Sequence, residues 1–578
     1  MCGIFALLNN SSFIKPKNIY NAFNHGQGRG PEKSDLVYFN QSLTLGFHRL
    51  AINGLDEISG QPMTINNITL ICNGEIYNYK ELFTLLNVIP QTNSDCEIII
   101  HLYIKYGIET TVSLLDGVFS FVLYDKQNKM LHVARDPFGV RPLYMLTVDK
   151  HPYDSDDKLM AFASDMKVLN ETLNKYHYLG IKKKQEISSI NQFSPGKVIT
   201  FNYDKYWLIE KDVRYHTIKY SNNILKPYNY DDRINAYKNI YNDLNSAVRK
   251  RVIGTSDRPI ACLLSGGLDS SLIAALVSKY YGGQLETYSI GMEGSVDLKY
   301  AREVAKYIKS KHHEITFKED DFFNSIPEVI YNIESYDTTT VRASVGNYLI
   351  GKYISENSEA KVIFNGDGSD ELTGGYIYFL AVDTDIEFDK ECKRLLKNIY
   401  NFDVLRSDKC ISSCGLEPRT PFLDKDFVNN YLQIPISVRN PKSIKSNRYV
   451  NYNKNDNPVE KLLLRESIAY MEPTLLPANI LWRTKEAFSD GVSGDKGSWF
   501  DIIKDKVSKL DNIYEVENYN PLTNHNMPKT LEQKYYRKIF DEYFPYHDNV
   551  IPYFWMPKYV KTDDASARTI TFYNDVQK

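Results

Sequence analysis

The chain is expected to be an α/β protein in two parts, a strand-rich N-terminal unit and a C-terminal unit built on a parallel sheet. Three observations lead there. Residues 1–205 carry short apolar or alternating runs at 44–52, 68–72, 117–124, 129–134, 143–148 and 159–164, separated by turn residues, with helical segments near 79–87 and 95–106. Beyond them strands and helices alternate: strand 259–264, helix 269–280, strand 286–291, helix 297–309, strand 312–317, helix 320–332, strand 361–365. Finally, 578 residues, 43% of them hydrophobic, are enough for more than one core. The expected division is 1–205 and 206–578, with the polar run near 204–232 as linker.

Composition removes several classes. A net charge of −3 leaves no footprint for nucleic acid, and Lys182-Lys183-Lys184 reads as a solvated loop. No window approaches the roughly 18 apolar residues of a membrane span, and Met1-Cys2-Gly3-Ile4-Phe5 lacks the charged leader of a signal peptide. Seven cysteines, an odd number, read as reduced thiols of a cytoplasmic protein. No CxxC pair or His/Cys cluster has zinc spacing. Cys410 and Cys414 suit one helix face, a metal site being the alternative.

In the N-terminal unit the chemistry starts at Cys2. Removal of Met1 before this small residue is expected to leave a thiol and a free α-amine on one residue. The amine, with an ordinary pKa near 8, can take the thiol proton and later return it to a leaving group. Cys2-Gly3-Ile4-Phe5-Ala6 keeps company with Arg29-Gly30-Pro31, Phe47-His48-Arg49-Leu50-Ala51-Ile52, Gln61-Pro62-Met63, Cys72-Asn73-Gly74-Glu75-Ile76-Tyr77-Asn78, Ser94-Asp95-Cys96-Glu97, Asp116-Gly117-Val118-Phe119 and Ala134-Arg135-Asp136-Pro137-Phe138-Gly139-Val140-Arg141-Pro142. This set, in this order, resembles the glutaminase domain of the class II, N-terminal-nucleophile amidotransferases.

The resemblance implies two stacked antiparallel sheets between helix layers, an αββα Ntn-hydrolase fold. It also implies that Cys2 attacks the glutamine side-chain amide, with the Asn73 side chain and the Gly74 N–H as oxyanion hole. Arg49 would take the glutamine carboxylate, and Asp95 with Glu75 the ammonium. Arg49 as an ordinary ion pair and Asp95 as a helix N-cap are the structural alternatives. One departure is visible: where the family reads HRGPD, this chain has Gly28-Arg29-Gly30-Pro31-Glu32.

The C-terminal unit is organised around Leu263-Leu264-Ser265-Gly266-Gly267-Leu268-Asp269-Ser270-Ser271, placed between a strand and a helix. Adjacent glycines let backbone N–H groups approach an anion, the serines add donors, and the helix N-terminus adds positive potential. The loop lacks the Lys of GxxxxGK[ST]. A corner that uses glycine for shape alone is the alternative. SGGxDS resembles the pyrophosphate loop of the ATP pyrophosphatases, the adenine nucleotide α-hydrolase-like fold, which split ATP between the α and β phosphates. Asp269, and Asp370 in Asn365-Gly366-Asp367-Gly368-Ser369-Asp370-Glu371, lie past the carboxyl ends of strands, where ligands of such sheets bind. A solvated acidic loop is the alternative for 367–371.

Tyr288-Ser289-Ile290-Gly291-Met292, Thr339-Thr340-Val341-Arg342-Ala343-Ser344, Thr420-Pro421-Phe422-Leu423-Asp424, Trp482-Arg483-Thr484-Lys485-Glu486-Ala487-Phe488-Ser489-Asp490-Gly491 and Trp555-Met556-Pro557-Lys558 make this unit similar to the glutamine-hydrolysing asparagine synthetases, and Ser566-Ala567-Arg568-Thr569 to their eukaryotic type. The resemblance implies ATP and Mg²⁺, with Leu264, Ile290, Asn365 and Gly366 lining the nucleotide and Ser265, Gly266, Gly267 and Ser270 cradling phosphate. Asp269 and Asp370 would hold Mg²⁺, and Lys485 and Arg342 would stabilise charge on phosphate or substrate. A β-aspartyl-AMP formed from aspartate would then receive ammonia from the first site through an interior passage that excludes water. A homodimer and small-molecule substrates, with no nucleic acid and no membrane, complete what the resemblance implies.

Two departures bear on this. The family's SGEGSDE has Asp367 here, one methylene shorter than the Glu implicated in catalysis, and a displacement of about 1 Å can cost on the order of 10²-fold. A polar insertion occupies 440–457. Adenylation of a different carboxylate, or a binding or regulatory protein with impaired chemistry, are the other readings, Asp367 supporting the last.

Overall fold

Alternation along the first strand sets the layering of the N-terminal unit. In the computed structural model, which describes the chain except residues 12, 41, 152–153, 177–187, 219–229, 256, 444–458, 487–490, 494–496 and 573–578, Gly3–Leu8 sends Ile4, Ala6 and Leu8 to one side and Phe5 and Leu7 to the other. The first set meets Ile71, Val122, Val133 and Phe201 of a second sheet. The second set packs with Ile19 and Phe23 of the helix Pro16–Asn24 and with Leu169 of the helix Met166–Lys175. On the far side, Leu70, Phe119 and Phe121 pack against Leu82, Phe83 and Ile99 of the helices Tyr79–Leu86 and Ile98–Tyr106. The result is helix, sheet, sheet, helix. Each such aliphatic or aromatic side chain contributes about 1.5–3 kcal/mol on burial.

Both sheets are antiparallel and six-stranded. One runs Ser188–Gln192, Tyr144–His151, Asp154–Ala163, Gly3–Leu8, Leu43–Arg49, Lys33–Asn40; the other runs Trp207–Arg214, Lys197–Tyr203, Met130–Arg135, Gly117–Asp125, Ile68–Ile76, Met63–Ile65. Trp207–Arg214 pairs with Lys197–Tyr203, so the first unit extends past the boundary expected at 205. The run expected to be a linker opens with this edge strand, whose residues are mostly exposed and so carry no apolar signature.

In the second unit all five described strands are parallel, in the order Lys311–Thr316, Glu286–Gly291, Ile260–Leu263, Val362–Phe364, Glu417–Arg419. The helix expected over 320–332 is two, Glu319–Asn324 and Ile326–Ile333. Pro327 has no N–H to continue the ladder, and the chain restarts there. Glu417–Arg419, three residues with Pro418 at its centre, has no apolar run to announce it, and it is an edge strand, where proline is tolerated. Most of the 440–457 insertion, and Lys182-Lys183-Lys184, lie outside the described residues.

The two units meet across buried charge. Asp408, on the helix Asp403–Ser412, accepts Arg29 at 2.8 Å and Arg141 at 3.4 Å. The next residue, Lys409, bonds Asp165 at 2.9 Å and also Glu334, whose carboxylate caps the N–H groups of Met166 and Lys167. The side chains of Arg29, Arg141, Asp165, Asp408 and Lys409 are at most 4% exposed. Removing one partner strands the others without water. Asp408→Ala should therefore destabilise the protein by about 3–5 kcal/mol, read as a lowered urea midpoint, whereas an unchanged midpoint would show that these charges reach solvent.

Candidate active sites

Cys2 sits where the first strand begins. Its thiol points to the Leu50 carbonyl at 3.5 Å, and Arg29 Nε donates to the Cys2 carbonyl at 3.1 Å. Burial pushes the thiol up to about 11, against the pull of the chain's own amine; burial in turn brings the Met1 amine down to about 6. Asn73 and Gly74 lie on Ile68–Ile76, within the second sheet. Asn73 is fully buried; among the described residues its Oδ1 has no hydrogen-bond partner, and its Nδ2 makes a long contact, 3.5 Å, to Ser164 Oγ. Ser164 also accepts the Ile4 N–H at 3.1 Å, tying Asn73 to the strand that carries the thiol. A Cβ on Gly74 would lie 2.3 Å from the Val118 carbonyl, so only glycine fits there.

The residues expected to hold a free amino acid surround this point. Among the described residues Arg49 makes no ion pair, and its Nη2 donates to the Gly54 and Asp56 carbonyls at 2.6 and 2.7 Å. Asp95 is no cap either. Ser94 caps the short helix that follows, and Asp95 Oδ2 accepts the Ile76 N–H at 2.6 Å. Glu75 accepts Asn53 Nδ2 at 2.7 Å and lies 3.4 Å from Arg419 of the other unit. Burial, with Asp95 and Glu417 nearby, raises Glu75 well above the ordinary range, and burial raises Asp95 to about 6.

The second constellation lines a cleft of about 180 Å³ at the carboxyl ends of the parallel strands. It contains Leu264, Ser265, Gly267, Asp269 and Ser270 from the glycine loop, and Ile290 from the neighbouring strand. Asn365, Gly366, Asp367 and Asp370 face them, with Lys485 closing one side. Gly266 is not in the lining. It has φ +74°, and a Cβ there would lie 2.4 Å from the Ala301 N, so it shapes the turn. Ser265 N donates to Ser270 Oγ at 3.2 Å, closing the loop over the N-terminus of the helix Leu268–Tyr280. A Cβ on Gly366 would meet Asp269 Cβ at 2.7 Å, which is how closely the two loops approach.

Arg342 is not brought to this cleft. Its neighbours Thr339 and Ala343 line it, but the guanidinium turns away into Glu532 at 2.6 Å and Asp564 at 2.7 Å. The pair of carboxylates ties Arg342, on helix Thr338–Asn357, to the C-terminal segments.

Lys461 is the residue sequence reasoning missed. Its Nζ lies 2.5 Å from Asp269 Oδ2 and 2.7 Å from Asp370 Oδ1, while Lys485 Nζ reaches Asp370 Oδ2 at 2.7 Å. Gly375 makes room for it, since a Cβ there would lie 1.9 Å from Lys461 Cε. Burial alone would raise Asp370, yet Lys461 and Lys485 together hold it below the ordinary carboxylate range. The only hint in the sequence is a Glu460-Lys461 pair opening an apolar run. Nearby, Arg406 bridges Asp403 at 2.8 Å and Asp367 at 3.5 Å, and Ser407 accepts Asn365 Nδ2 at 2.7 Å. The region 367–371 is therefore a wall of the cleft, not a solvated loop. Arg406 beside Asp367 and Asp403 offers both charges that a zwitterionic amino acid needs. Cys410 and Cys414 are free thiols, Cys414 Sγ contacting the Cys410 carbonyl at 3.6 Å.

An αββα unit with a cysteine at the start of its first strand, fused to a parallel sheet with a glycine loop on its central strand, is the build of the glutamine-dependent amidotransferases that also consume ATP. The sequence matches the glutamine amidotransferase domain family over residues 1–211 and the asparagine synthase family over residues 239–385 and 380–558. It is 38% identical to the glutamine-hydrolysing asparagine synthetase of Gallus gallus over 99% of each chain. It is 39% identical to that of Homo sapiens and 40% to that of Mus musculus, over 100% of each chain in both cases. The chain belongs to the glutamine-hydrolysing asparagine synthetase family.

Two outcomes follow from the electrostatics. Asp95 carries its charge above a pKa of about 6 and loses it below. The KM for glutamine should therefore rise as pH falls through 6, and Asp95→Asn should give a high KM at every pH; a flat wild-type profile would remove Asp95 from ammonium recognition. Lys461→Met should raise the KM for Mg·ATP about 10- to 100-fold, the worth of one charge-assisted contact, and an unchanged KM would make Lys461 a structural counter-ion only.

Proposed function

We propose that this chain makes L-asparagine from L-aspartate, taking ammonia from L-glutamine and splitting ATP to AMP and pyrophosphate. The observation that carries the reading is the joint construction of two sites. One buried helix, Asp403–Ser412, presents Arg406 to the cleft, supports the cleft residue Asn365 through Ser407, and presents Asp408 and Lys409 to the unit that holds Cys2.

At the first site, loss of Met1 places the α-amine on Cys2 itself, where it takes the thiol proton as sulfur attacks the glutamine amide. Negative charge develops on the amide oxygen, and the Gly74 N–H and Asn73 Nδ2, weakly engaged at 3.5 Å in the resting enzyme, receive it. Arg49 orients the glutamine carboxylate; Asp95 and Glu75 take its ammonium. The amine then returns its proton to departing ammonia, and water releases glutamate from the sulfur.

At the second site, Ser265, Gly267 and Ser270 hold the phosphates while Leu264, Ile290 and Gly366 seat the nucleoside. The aspartate β-carboxylate attacks the α-phosphorus and pyrophosphate leaves; ammonia then displaces AMP. Asp269 and Asp370 fit a divalent ion. They converge on one cation position, Asp269 Oδ2 and Asp370 Oδ1 lying 2.5 and 2.7 Å from the same Lys461 Nζ. Among the described residues no third acidic, His or Cys ligand joins them, which suits Mg²⁺ completed by phosphate and water oxygens. Bound there, Mg²⁺ would supply charge neutralisation on the phosphates. Lys461 and Lys485 are placed to do the same for the leaving pyrophosphate. Asp367, which lines the cleft, is the acid–base candidate; burial raises it, opposed by Arg406 and Ser407.

We place the reaction in the cytoplasm, a reading supported by seven free cysteines; no described helix is long and apolar enough to cross a membrane. A homodimer rests on the resemblance, and a sedimentation mass of one chain would exclude it.

The test is an incubation of purified protein with glutamine, aspartate and Mg·ATP, measuring asparagine, glutamate, AMP and ADP together. Asparagine and AMP should rise with glutamate, and Cys2→Ala should abolish glutamine-driven synthesis while sparing synthesis from added ammonia. Glutamate without AMP or asparagine would mean that the second site is disabled, with recovery in Asp367→Glu tracing the defect to the missing methylene.

A further inference from the structure

One loop of the N-terminal unit reaches the candidate glutamine site three times. Arg49 brings the cation, the Leu50 carbonyl meets the Cys2 thiol at 3.5 Å, and Asn53 Nδ2 bonds Glu75 at 2.7 Å. Two residues of the C-terminal unit grip this loop. Arg258 Nε donates to the Ala51 carbonyl at 2.8 Å and its Nη2 to Glu32 Oε1 at 2.5 Å, while Glu32 Oε2 accepts the Ala51 N–H at 2.9 Å. The arginine and carboxylate thus hold both polar groups of one residue's backbone. Next along the loop, Asp257 Oδ2 accepts the Gly54 N–H at 3.0 Å, and the Gly54 carbonyl is the one that Arg49 Nη2 bonds at 2.6 Å. Glu32 is also where this chain departs from the HRGPD pattern, and its longer arm serves Ala51 and Arg258 at once.

The Arg258 and Glu32 side chains are 24% and 32% exposed, so solvent weakens their attraction. What they supply is direction. Gly54 has φ +68°, and a Cβ there would lie 2.5 Å from Ser59 Oγ, so the loop is tightly folded at the point Asp257 holds.

We infer that Asp257, Arg258 and Glu32 are positioning residues for glutamine hydrolysis, so that the glutamine site is complete only when the C-terminal unit is docked on it. This rests on the glutaminase reading of Cys2 and deepens it by placing part of the site's support outside the amidotransferase unit. Arg258 stands just before Ile260–Leu263, the central strand that runs on into the glycine loop, so the glutamine loop and the phosphate loop are fixed to opposite ends of one strand.

The experiment uses the full chain. In Arg258→Ala, kcat/KM for glutamine should fall about 10- to 100-fold, the effect of a displacement near 1 Å, mostly through KM, while asparagine formation from added ammonia stays unchanged. Arg258→Lys, which keeps charge opposite Glu32 but loses the Ala51 contact, should recover part of the loss. The glutamine concentration that half-protects Cys2 from iodoacetamide should rise in parallel. An unchanged KM would overturn the inference, as would an equal loss of ammonia-driven and glutamine-driven synthesis. Should Arg258→Ala fail to fold, Glu32→Gln and Asp257→Asn carry the same test. A wild-type protein that hydrolyses no glutamine would instead overturn the reading of Cys2.

Discussion

Everything else in the molecule depends on charges buried between its two units. Arg29, Arg141 and Lys409 face Asp165, Asp408 and Glu334 with almost no access to water. Withdrawing such ions from solvent costs several kcal/mol each, and only complete pairing offsets it. The pairing crosses between units, so it is satisfied only when they are docked in one arrangement. Arg29 carries this into the chemistry: the guanidinium that meets Asp408 also bonds the Cys2 carbonyl. The position of Cys2 is thereby tied to the opposite unit.

What sequence reasoning reached, and what it did not, divides along the distance over which each feature is encoded. The glycine loop was readable because its backbone demands are local: Gly266 in a left-handed turn, Gly267 at a helix start, serines whose hydroxyls bond within the loop. The parallel sheet was readable because strand-length and helix-length segments alternate and its inner strands Ile260–Leu263 and Val362–Phe364 are apolar. Lys461 was not, because its meaning arises from a carboxylate 192 residues away in the chain. Arg342 was placed in the second site on its local neighbourhood, yet its partners Glu532 and Asp564 lie 190 and 222 residues on. The boundary at 205 missed an edge strand for a related reason, since exposed strands are recorded in their hydrogen-bonding partner and not in their own composition.

The second cleft also shows why two facing acidic side chains need not be a liability. Two aspartates facing each other without a cation would repel and drift. Lys461 and Lys485 hold them in place, so the carboxylates keep their geometry within the protein alone. Asp370 stays ionised for the same reason.

The helix Asp403–Ser412 serves both sites with neighbouring residues, and this makes it sensitive to phase. Each residue advances an α-helix by about 100°. Arg406 meets the cleft and Ser407 its wall residue Asn365 because Asp408 and Lys409, one step further round, meet the other unit. A single inserted or deleted residue within that turn would rotate one set away from its partners whichever end stayed fixed. The count of residues between Asp403 and Ser412 is therefore fixed by two partners at once, a constraint that composition alone does not record.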